Sequence, residues 1–313
     1  MDRVAITGSE GLIGRHLRTA LAERKVEVVR IDQALPPSSG RIDLSVSGAS
    51  VDLQRLFESC DGVVHLGAVS RVVWGERNPE RCWRTNVEGT NAVLQAAASC
   101  RNRPWVLLAS SREVYGNAAR LPVTEDAPRL PLNVYARSKV AAEDLVLAAR
   151  TELRTGIVRL SSVYGDVLDH ADRVVPAFAR AAAEDGILRV EGADHVLDLT
   201  HAPDVADGIA RLMGLLDGGD AKLPPVHLVS GVGTTLSALA HLACAVGGSR
   251  GRLTDAPPRD YDVSHFVGNP DRARRLLGWE SRTPLLDGVR RLVEEYAALS
   301  IKSSVGSAAG VSL

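Results

Sequence analysis

The stretch Val4-Ala5-Ile6-Thr7-Gly8-Ser9-Glu10-Gly11-Leu12-Ile13-Gly14-Arg15 decides how the chain folds. A short apolar run passes into a glycine-punctuated turn and then into a helical pattern (Leu12, Ile13, Leu17, Ala20, Leu21). That order describes a strand, a tight loop and a helix N-terminus. In such a geometry backbone N–H groups and the positive end of the helix dipole hold a pyrophosphate. Glycine serves at the turn because a Cβ would obstruct φ > 0. It serves again where the backbone approaches the phosphates, and a third time where helix packs on strand. With 28 glycines in the chain, a lone G-x-x-G-x-x-G would be a weak signal. Its neighbours strengthen it: a second apolar run, Val26–Ile31, ends in Asp32, about 20 residues past the glycines. A carboxylate there accepts hydrogen bonds from both hydroxyls of an adenosine ribose and repels a 2′-phosphate, so the expected cofactor is NAD and not NADP. The competing reading is a structural turn with Asp32 as a solvated strand-end residue.

Outward from this stretch, strand and helix patterns alternate. Strands are expected near 3–7, 26–31, 62–66, 104–109 and 156–160, and helices near 12–24, 51–59, 79–100 and 133–150. Alternation of this kind predicts an α/β fold, a Rossmann-type doubly wound parallel sheet whose ligands bind at the carboxyl ends of the strands. Beyond 165 the pattern loosens, with helices near 172–185, 204–217, 234–247 and 284–298 and short strands at 187–190 and 226–229. We therefore expect a cofactor-binding domain over 1–165, to which later segments can return, and a smaller interleaved C-terminal substrate lobe over 166–299. An aperiodic, disordered tail is expected over 300–313.

Length and composition exclude several classes. The 313 residues allow one large or two modest domains. A net charge of −1, with 24% charged residues, gives no reason to expect a nucleic-acid partner. No apolar run approaches the ~20 residues of a membrane span. A strand pattern from residue 3 leaves no room for a signal peptide, so a cytoplasmic location is expected. Cys60, Cys82, Cys100 and Cys244 lie far apart and read as small buried residues in a reducing compartment. His170, His195 and His201 lack metal-ligand spacing, and no metal is expected.

Two further stretches carry chemistry. In Asn133-Val134-Tyr135-Ala136-Arg137-Ser138-Lys139, Tyr135 and Lys139 fall on one face of an expected helix. An ammonium beside a phenol lowers its pKa from about 10 toward working pH, which suits a tyrosine that exchanges a proton with a hydroxyl as its carbon is oxidised or reduced. Alone, Y-x-x-x-K is also the spacing of an ordinary surface pair. The strand 104–109 runs into Ser110-Ser111-Arg112-Glu113-Val114-Tyr115-Gly116. Ser111 at the carboxyl end of a parallel strand can donate to a substrate oxygen, or it can simply cap the next turn.

Together these stretches resemble the extended short-chain dehydrogenases/reductases, in the NAD-dependent epimerase/dehydratase group that includes UDP-glucose 4-epimerases. The likeness runs from residue 3 to about 299. Thr7–Gly14 resembles the T-G-x-x-G-x-x-G of that group, and His65-Leu66-Gly67-Ala68 its H-L-A-A strand end. Thr85–Thr90 resembles its N-V-x-G-T helix, Ser110–Gly116 its S-S-x-x-V-Y-G, and Arg159–Gly165 its R-x-x-N-V-Y-G. His201–Ala206 and Asn269–Trp279 resemble its H-V-D-D-V-A and L-G-W stretches. The resemblance implies NAD contacts from Gly8, Gly11, Leu12, Ile13, Gly14, Asp32, Asp43, Leu44, Leu66, Gly67, Ala68, Asn86, Tyr135 and Lys139. It implies a catalytic Ser111, Tyr135 and Lys139, with Ser70, Ser111, Ser162 and Arg259 at the substrate. It also implies a homodimer through the tyrosine-bearing helix.

The implied reaction is an epimerisation, most naturally of a nucleotide sugar, in which a ring hydroxyl is oxidised to a ketone and reduced again. Glu113 stands where dehydratases and some decarboxylases of the group carry a glutamate, which leaves a dehydratase or decarboxylase open. Arg112 replaces an acid of the 4,6-dehydratases, and an arginine cannot donate that proton. Leu197 and Ser162 replace an arginine and an asparagine that usually clamp a diphosphate, so Arg259 with Arg173, Arg189 or His195 would have to compensate. A net dehydrogenase for a free, uronate-like sugar acid and a non-catalytic NAD sensor are the remaining alternatives.

Overall fold

In β1 (Arg3–Thr7) every residue from Val4 onward is buried, as in a strand with helices on both of its faces. The glycine turn leads from it into α1 (Leu12–Glu23). Then follow β2 (Glu27–Ile31), α2 (Ala49–Phe57), β3 (Gly62–His65), α3 (Val72–Arg77), α4 (Pro79–Trp83) and α5 (Gly89–Ser99). The first part closes with β4 (Trp105–Ser111), α6 (Val134–Ala148) and β5 (Thr155–Leu160). The second part begins with β6 (Ser162–Tyr164), α7 (Val174–Ala183), β7 (Ile187–Glu191), β8 (Val196–His201) and α8 (Ala202–Asp217). It continues through β9 (Val226–Leu228), β10 (Gly233–Thr235), α9 (Leu236–Gly247), β11 (Arg252–Ala256), α10 (Asp271–Leu277) and α11 (Leu285–Ala308). The structure, a computed structural model, describes residues 1–46, 48–248 and 252–308.

Six strands make one parallel sheet in the order β2-β1-β3-β4-β5-β9. The chain runs from β1 outward to β2 and then returns to the other side of β1. At that reversal the loops leave in opposite directions and open a cleft beyond the strand ends. The expected doubly wound sheet is present. Two later elements return to it: β9 is its last strand, and α8 packs along α1 through a core that includes Leu17, Leu21, Ile209 and Met213. The smaller lobe holds the sheets β10-β8-β6 and β11-β7, with α7, α9 and α11 packed around Phe178, Leu239 and Leu292.

The short elements β6, β8, β10, β11, α3 and α10 carry too few residues for a period to be read. The helix expected over 79–100 is broken, because α4 passes through a π-turn at Arg84–Glu88 before α5 begins. The expected tail is corrected in its first part: α11 extends to Ala308, and residues 309–313 lie outside the described residues. Among the described residues no helix is long and apolar enough to cross a membrane, and no His, Cys, Asp or Glu group could hold a metal.

A buried charge network joins the elements that will form the catalytic wall. Arg159 of β5 donates to Glu143 of α6 from Nε to Oε1 at 2.9 Å and from Nη2 to Oε2 at 2.7 Å. Its Nη1 donates to the Tyr115 hydroxyl at 2.6 Å and to the Glu125 carbonyl at 2.8 Å. The Tyr115 hydroxyl is shared with His227 Nε2 at 2.6 Å, which ties in β9. Burial holds His227 neutral, with its pKa lowered to about 3. Removing the guanidinium strands the fully buried Glu143 carboxylate, relieved only by Arg129 at 3.3 Å. Arg159→Met is therefore expected to cost about 3 kcal/mol of stability, read from urea denaturation.

Candidate active site

The cleft beyond the β1/β3 reversal encloses about 1190 Å³, more than a drug-sized ligand needs and enough for an extended dinucleotide beside a substrate. At its head two backbones nearly touch. Gly8 has φ +71°, and a Cβ on it would lie 2.7 Å from the Gly67 nitrogen. A Cβ on Gly14 would lie 2.3 Å from the Gly8 carbonyl. Gly11 caps α1 without a side-chain hydrogen bond, so the first N–H groups of the helix, at Leu12 and Ile13, are left for an anion.

Asp32 ends β2 with its carboxylate fixed by two backbone donors, Glu10 N to Oδ2 at 3.0 Å and Ala34 N to Oδ1 at 2.9 Å. Each oxygen keeps a lone pair for a ribose hydroxyl. Asp43 accepts from the Ser45 hydroxyl at 2.7 Å and the Ser45 N–H at 2.9 Å, which hold it below the usual carboxylate range. Leu44 fills the space that glycine leaves, since a Cβ on Gly67 or Gly89 would meet its side chain at 2.8 or 2.9 Å. Asp43, Leu44, Leu66, Gly67 and Ala68 all line the cleft. These residues fit a dinucleotide with an unphosphorylated ribose.

His65, buried at the end of β3, performs no visible acid–base task. The Gly67 N–H donates to Thr7 Oγ1 at 3.1 Å, Thr7 Oγ1 lies 2.7 Å from His65 Nδ1, and His65 Nε2 lies 3.0 Å from Thr90 Oγ1. Thr90 donates onward to the Asn86 carbonyl at 2.6 Å. Read along that chain, the proton of the imidazole sits on Nε2 and every partner is satisfied. Burial, aided by Lys139, lowers its pKa to about 3. Asn86 serves first as a link between elements. It does not line the cleft, because it is buried and its side chain is spent on neighbours. Its Oδ1 accepts from Val69 N at 2.7 Å, while Nδ2 donates to the Val69 carbonyl at 3.1 Å and to Ser138 Oγ at 2.9 Å. It locks the loop after β3 to the helix that carries Tyr135.

Tyr135, Lys139 and Ser111 converge on the opposite wall. Asn133 caps α6 by accepting from Ala136 N at 2.7 Å, and Glu76 of α3 accepts from Val134 N at 2.7 Å, so the helix start is clamped on both sides of Tyr135. Lys139 Nζ donates to the Ala109 carbonyl at 2.9 Å, and burial lowers its pKa to about 8. Burial also raises Tyr135 to about 12, with a Ser111 hydrogen bond and Arg173 pulling it down and Glu113 pushing it up. That differs from the lowered phenol expected from the Y-x-x-x-K spacing. Lys139 lies 5.9 Å from the centre of the Tyr135 ring, and its field does not outweigh desolvation.

Glu113 lies in the same wall, and both its oxygens are engaged: Oε1 with Arg112 Nη2 at 3.0 Å and Oε2 with Asn133 Nδ2 at 3.0 Å. Arg112 also lies 5.7 Å over the Phe266 ring. On the substrate side, Ser70, Ser162, Leu197, Arg173, Arg189, His195 and Arg259 all reach the cleft. Arg259 is held by Asp262 at 3.0 Å and Glu191 at 3.5 Å, and Glu191 also pairs with Arg189 at 3.2 Å. Asp166 pairs with Arg15 at 2.8 Å and lies 3.0 Å from His16 Nε2, both of α1. Sequence reasoning missed a bridge across the cleft walls, where Arg71 pairs with Asp172 and Trp74 meets His170 edge-on at 4.7 Å. Only Trp74, an aromatic soon after Ser70 in what folds as α3, signalled it. It also missed Glu76, which nothing in the sequence marks.

A doubly wound sheet with a glycine turn, a ribose carboxylate and a Ser/Tyr/Lys wall defines an enzyme of the dinucleotide-dependent class. Comparison narrows it. The profile of the NAD dependent epimerase/dehydratase family matches residues 4–223. A UDP-glucose 4-epimerase of Azospirillum brasilense is 27% identical, over 98% of this chain and 94% of that one. The solved structure of MoeE5 in complex with UDP-glucuronic acid and NAD superposes with a TM-score of 0.85 at 26% identity, over 96% of this chain and 100% of that one. That of TunA, an NAD-dependent NDP-hexosamine 5,6-dehydratase, superposes at 0.84 and 26%, over 95% and 98%. The chain belongs to the NAD-dependent epimerase/dehydratase family, and its cofactor is NAD.

Burying the Lys139 ammonium costs stability, because its folded pKa of about 8 lies below its unfolded value of 10.5. The penalty is complete below pH 8 and is relieved as pH climbs toward 10.5. Lys139→Met is expected to be more stable than the parent chain near pH 7 by up to about 3 kcal/mol, with the gap closing above pH 8 in thermal melts.

Proposed function

We propose that the chain is an NAD-dependent sugar epimerase acting on a nucleotide sugar through transient oxidation of a ring hydroxyl to a ketone. The observation that carries this reading is the Ser111/Tyr135/Lys139 wall with Glu113 tied down beside it. Bound NAD supplies the hydride acceptor and a positive charge. We assign its pyrophosphate to Gly8, Gly11, Leu12, Ile13 and Gly14, its adenosine to Asp32, Asp43 and Leu44, and its inner face to Leu66, Gly67 and Ala68. Tyr135 takes the proton from the substrate hydroxyl at Oη and returns it. Lys139 favours the phenolate during that exchange, and the Ser111 hydroxyl orients the substrate oxygen.

A dehydratase or decarboxylase needs a carboxylate free to act at the carbon beside the ketone or on its substituent. Glu113 is tethered at both oxygens, by Arg112 and Asn133, so a carboxylate that swings toward the substrate must first break an ion pair and a hydrogen bond. That favours epimerisation. Ser70, Ser162 and Arg259 are assigned to the substrate, with Arg259 exchanging a carboxylate partner for the substrate's anion. The UDP-sugar relatives support a nucleotide sugar, and we extend the reading to a cytoplasmic homodimer through α6.

The test is turnover of UDP-sugars without added NAD. Substrate and product of equal mass should interconvert with no accumulation of NADH. Steady NADH production with a free uronic acid would establish the dehydrogenase instead, and a product lighter by one water the dehydratase. Tyr135→Phe should lose at least about 100-fold in kcat. Glu113→Gln should retain kcat within about tenfold, because the proton exchange in this reading belongs to Tyr135.

A further inference from the structure

Glu10 stands inside the glycine turn, and its side chain is the hub of a charge cluster that the dinucleotide reading leaves unused. Its Oε1 accepts from the Ser9 hydroxyl at 2.9 Å, from Arg18 Nη1 at 2.9 Å and from Arg30 Nε at 3.0 Å. Its Oε2 lies 2.8 Å from Arg30 Nη2, so the Arg30 guanidinium is gripped side-on by both oxygens. Arg30 lies on β2 two residues before Asp32. The Glu10 N–H is itself one of the two donors that fix Asp32, at 3.0 Å. The ribose carboxylate and this cluster are therefore joined through a single peptide, and Glu10 lines the same cleft.

Two guanidiniums thus converge on Glu10 from behind the cleft lining, one residue removed from the ribose carboxylate, and a single carboxylate pairs with both. We propose that Glu10 is a specificity-determining residue: by occupying Arg18 and Arg30 it withholds from a 2′-phosphate the cations that would bind it, and with Asp32 it selects NAD over NADP. The proposal rests on the assignment of Asp32 to the adenosine ribose. A phosphomonoester carries a charge of about −1.5 to −2 and is recognised best by an arginine fork. With Glu10 in place that charge meets two carboxylates and two cations already paired. With a neutral residue there, the Arg30 fork opens and Asp32 alone opposes. Selectivity at this site is therefore not the work of Asp32 by itself.

The experiment equilibrates the full-length chain with equimolar NAD⁺ and NADP⁺, removes free nucleotide by desalting, and resolves the released bound nucleotides by chromatography. The parent chain should hold NAD⁺ almost alone. Glu10→Gln should raise the bound NADP⁺:NAD⁺ ratio by about tenfold or more, and the double variant Glu10→Gln/Arg30→Ala should lose that gain. Asp32→Ser, which leaves Glu10 on Arg30, should keep NAD⁺ the major species. Glu10→Ser repeats the test should the glutamine variant not fold. An unchanged ratio in a folded Glu10 variant, or a gain that survives the loss of Arg30, overturns the proposal. A parent chain that holds neither nucleotide overturns the underlying cofactor assignment instead.

Discussion

At the head of the cleft two stretches of backbone come so close that a Cβ on Gly8 would sit 2.7 Å from the nitrogen of Gly67. That approach lets the turn after β1 and the loop after β3 share one wall, with Thr7 accepting from the Gly67 N–H and passing the contact to His65. From His65 the connection runs through Thr90 to Asn86, and from Asn86 to Val69 and Ser138. The glycine turn and the tyrosine helix are thereby held in one hydrogen-bonded frame. The π-turn at Arg84–Glu88 belongs to the same frame, since the extra residue in its winding places Asn86 among these partners. A substitution at the glycine contact would be felt along the whole chain of bonds.

The sheet and its ligand-bearing edge were legible because their signals are local. Alternating apolar runs, glycines at fixed offsets and an acid at the end of β2 each report on a few neighbouring residues. What lay beyond reading depends on partners far apart in the chain. Asn86 stands in a stretch that resembles a cofactor contact, yet its amide answers to Val69 and Ser138, which only the folded chain brings together. The spacing of Tyr135 and Lys139 was plain, but burial, which a spacing does not record, moves the phenol upward. Asp32 could be read alone, whereas the ion pairs of Glu10 with Arg18 and Arg30 could not.

The wall that carries Tyr135 and Lys139 is assembled at the expense of stability. Lys139 is buried with a single carbonyl partner, and Tyr135 is buried next to Glu113. Behind them, the Arg159–Glu143 pair ties α6 to β5 and the Tyr115–His227 contact ties the turn after β4 to β9, away from the residues that line the cleft. The polar order beneath the wall offsets the awkward charges within it. Such a division fits a fold in which function tolerates local strain only where packing is strongest.

The bridge between the two walls bears on the timing of ligand exchange. Arg71 with Asp172 and Trp74 with His170 join the start of α3 to the loop before α7, and Asp172 is 68% exposed. An ion pair so wetted contributes no more than about 1 kcal/mol, and an edge contact between rings about 0.5–1.5 kcal/mol. Parting the walls there is inexpensive, while the frame around Gly8, His65 and Asn86 holds. The contact that closes the cleft on the side of the smaller lobe is therefore weaker than the frame that holds the glycine turn.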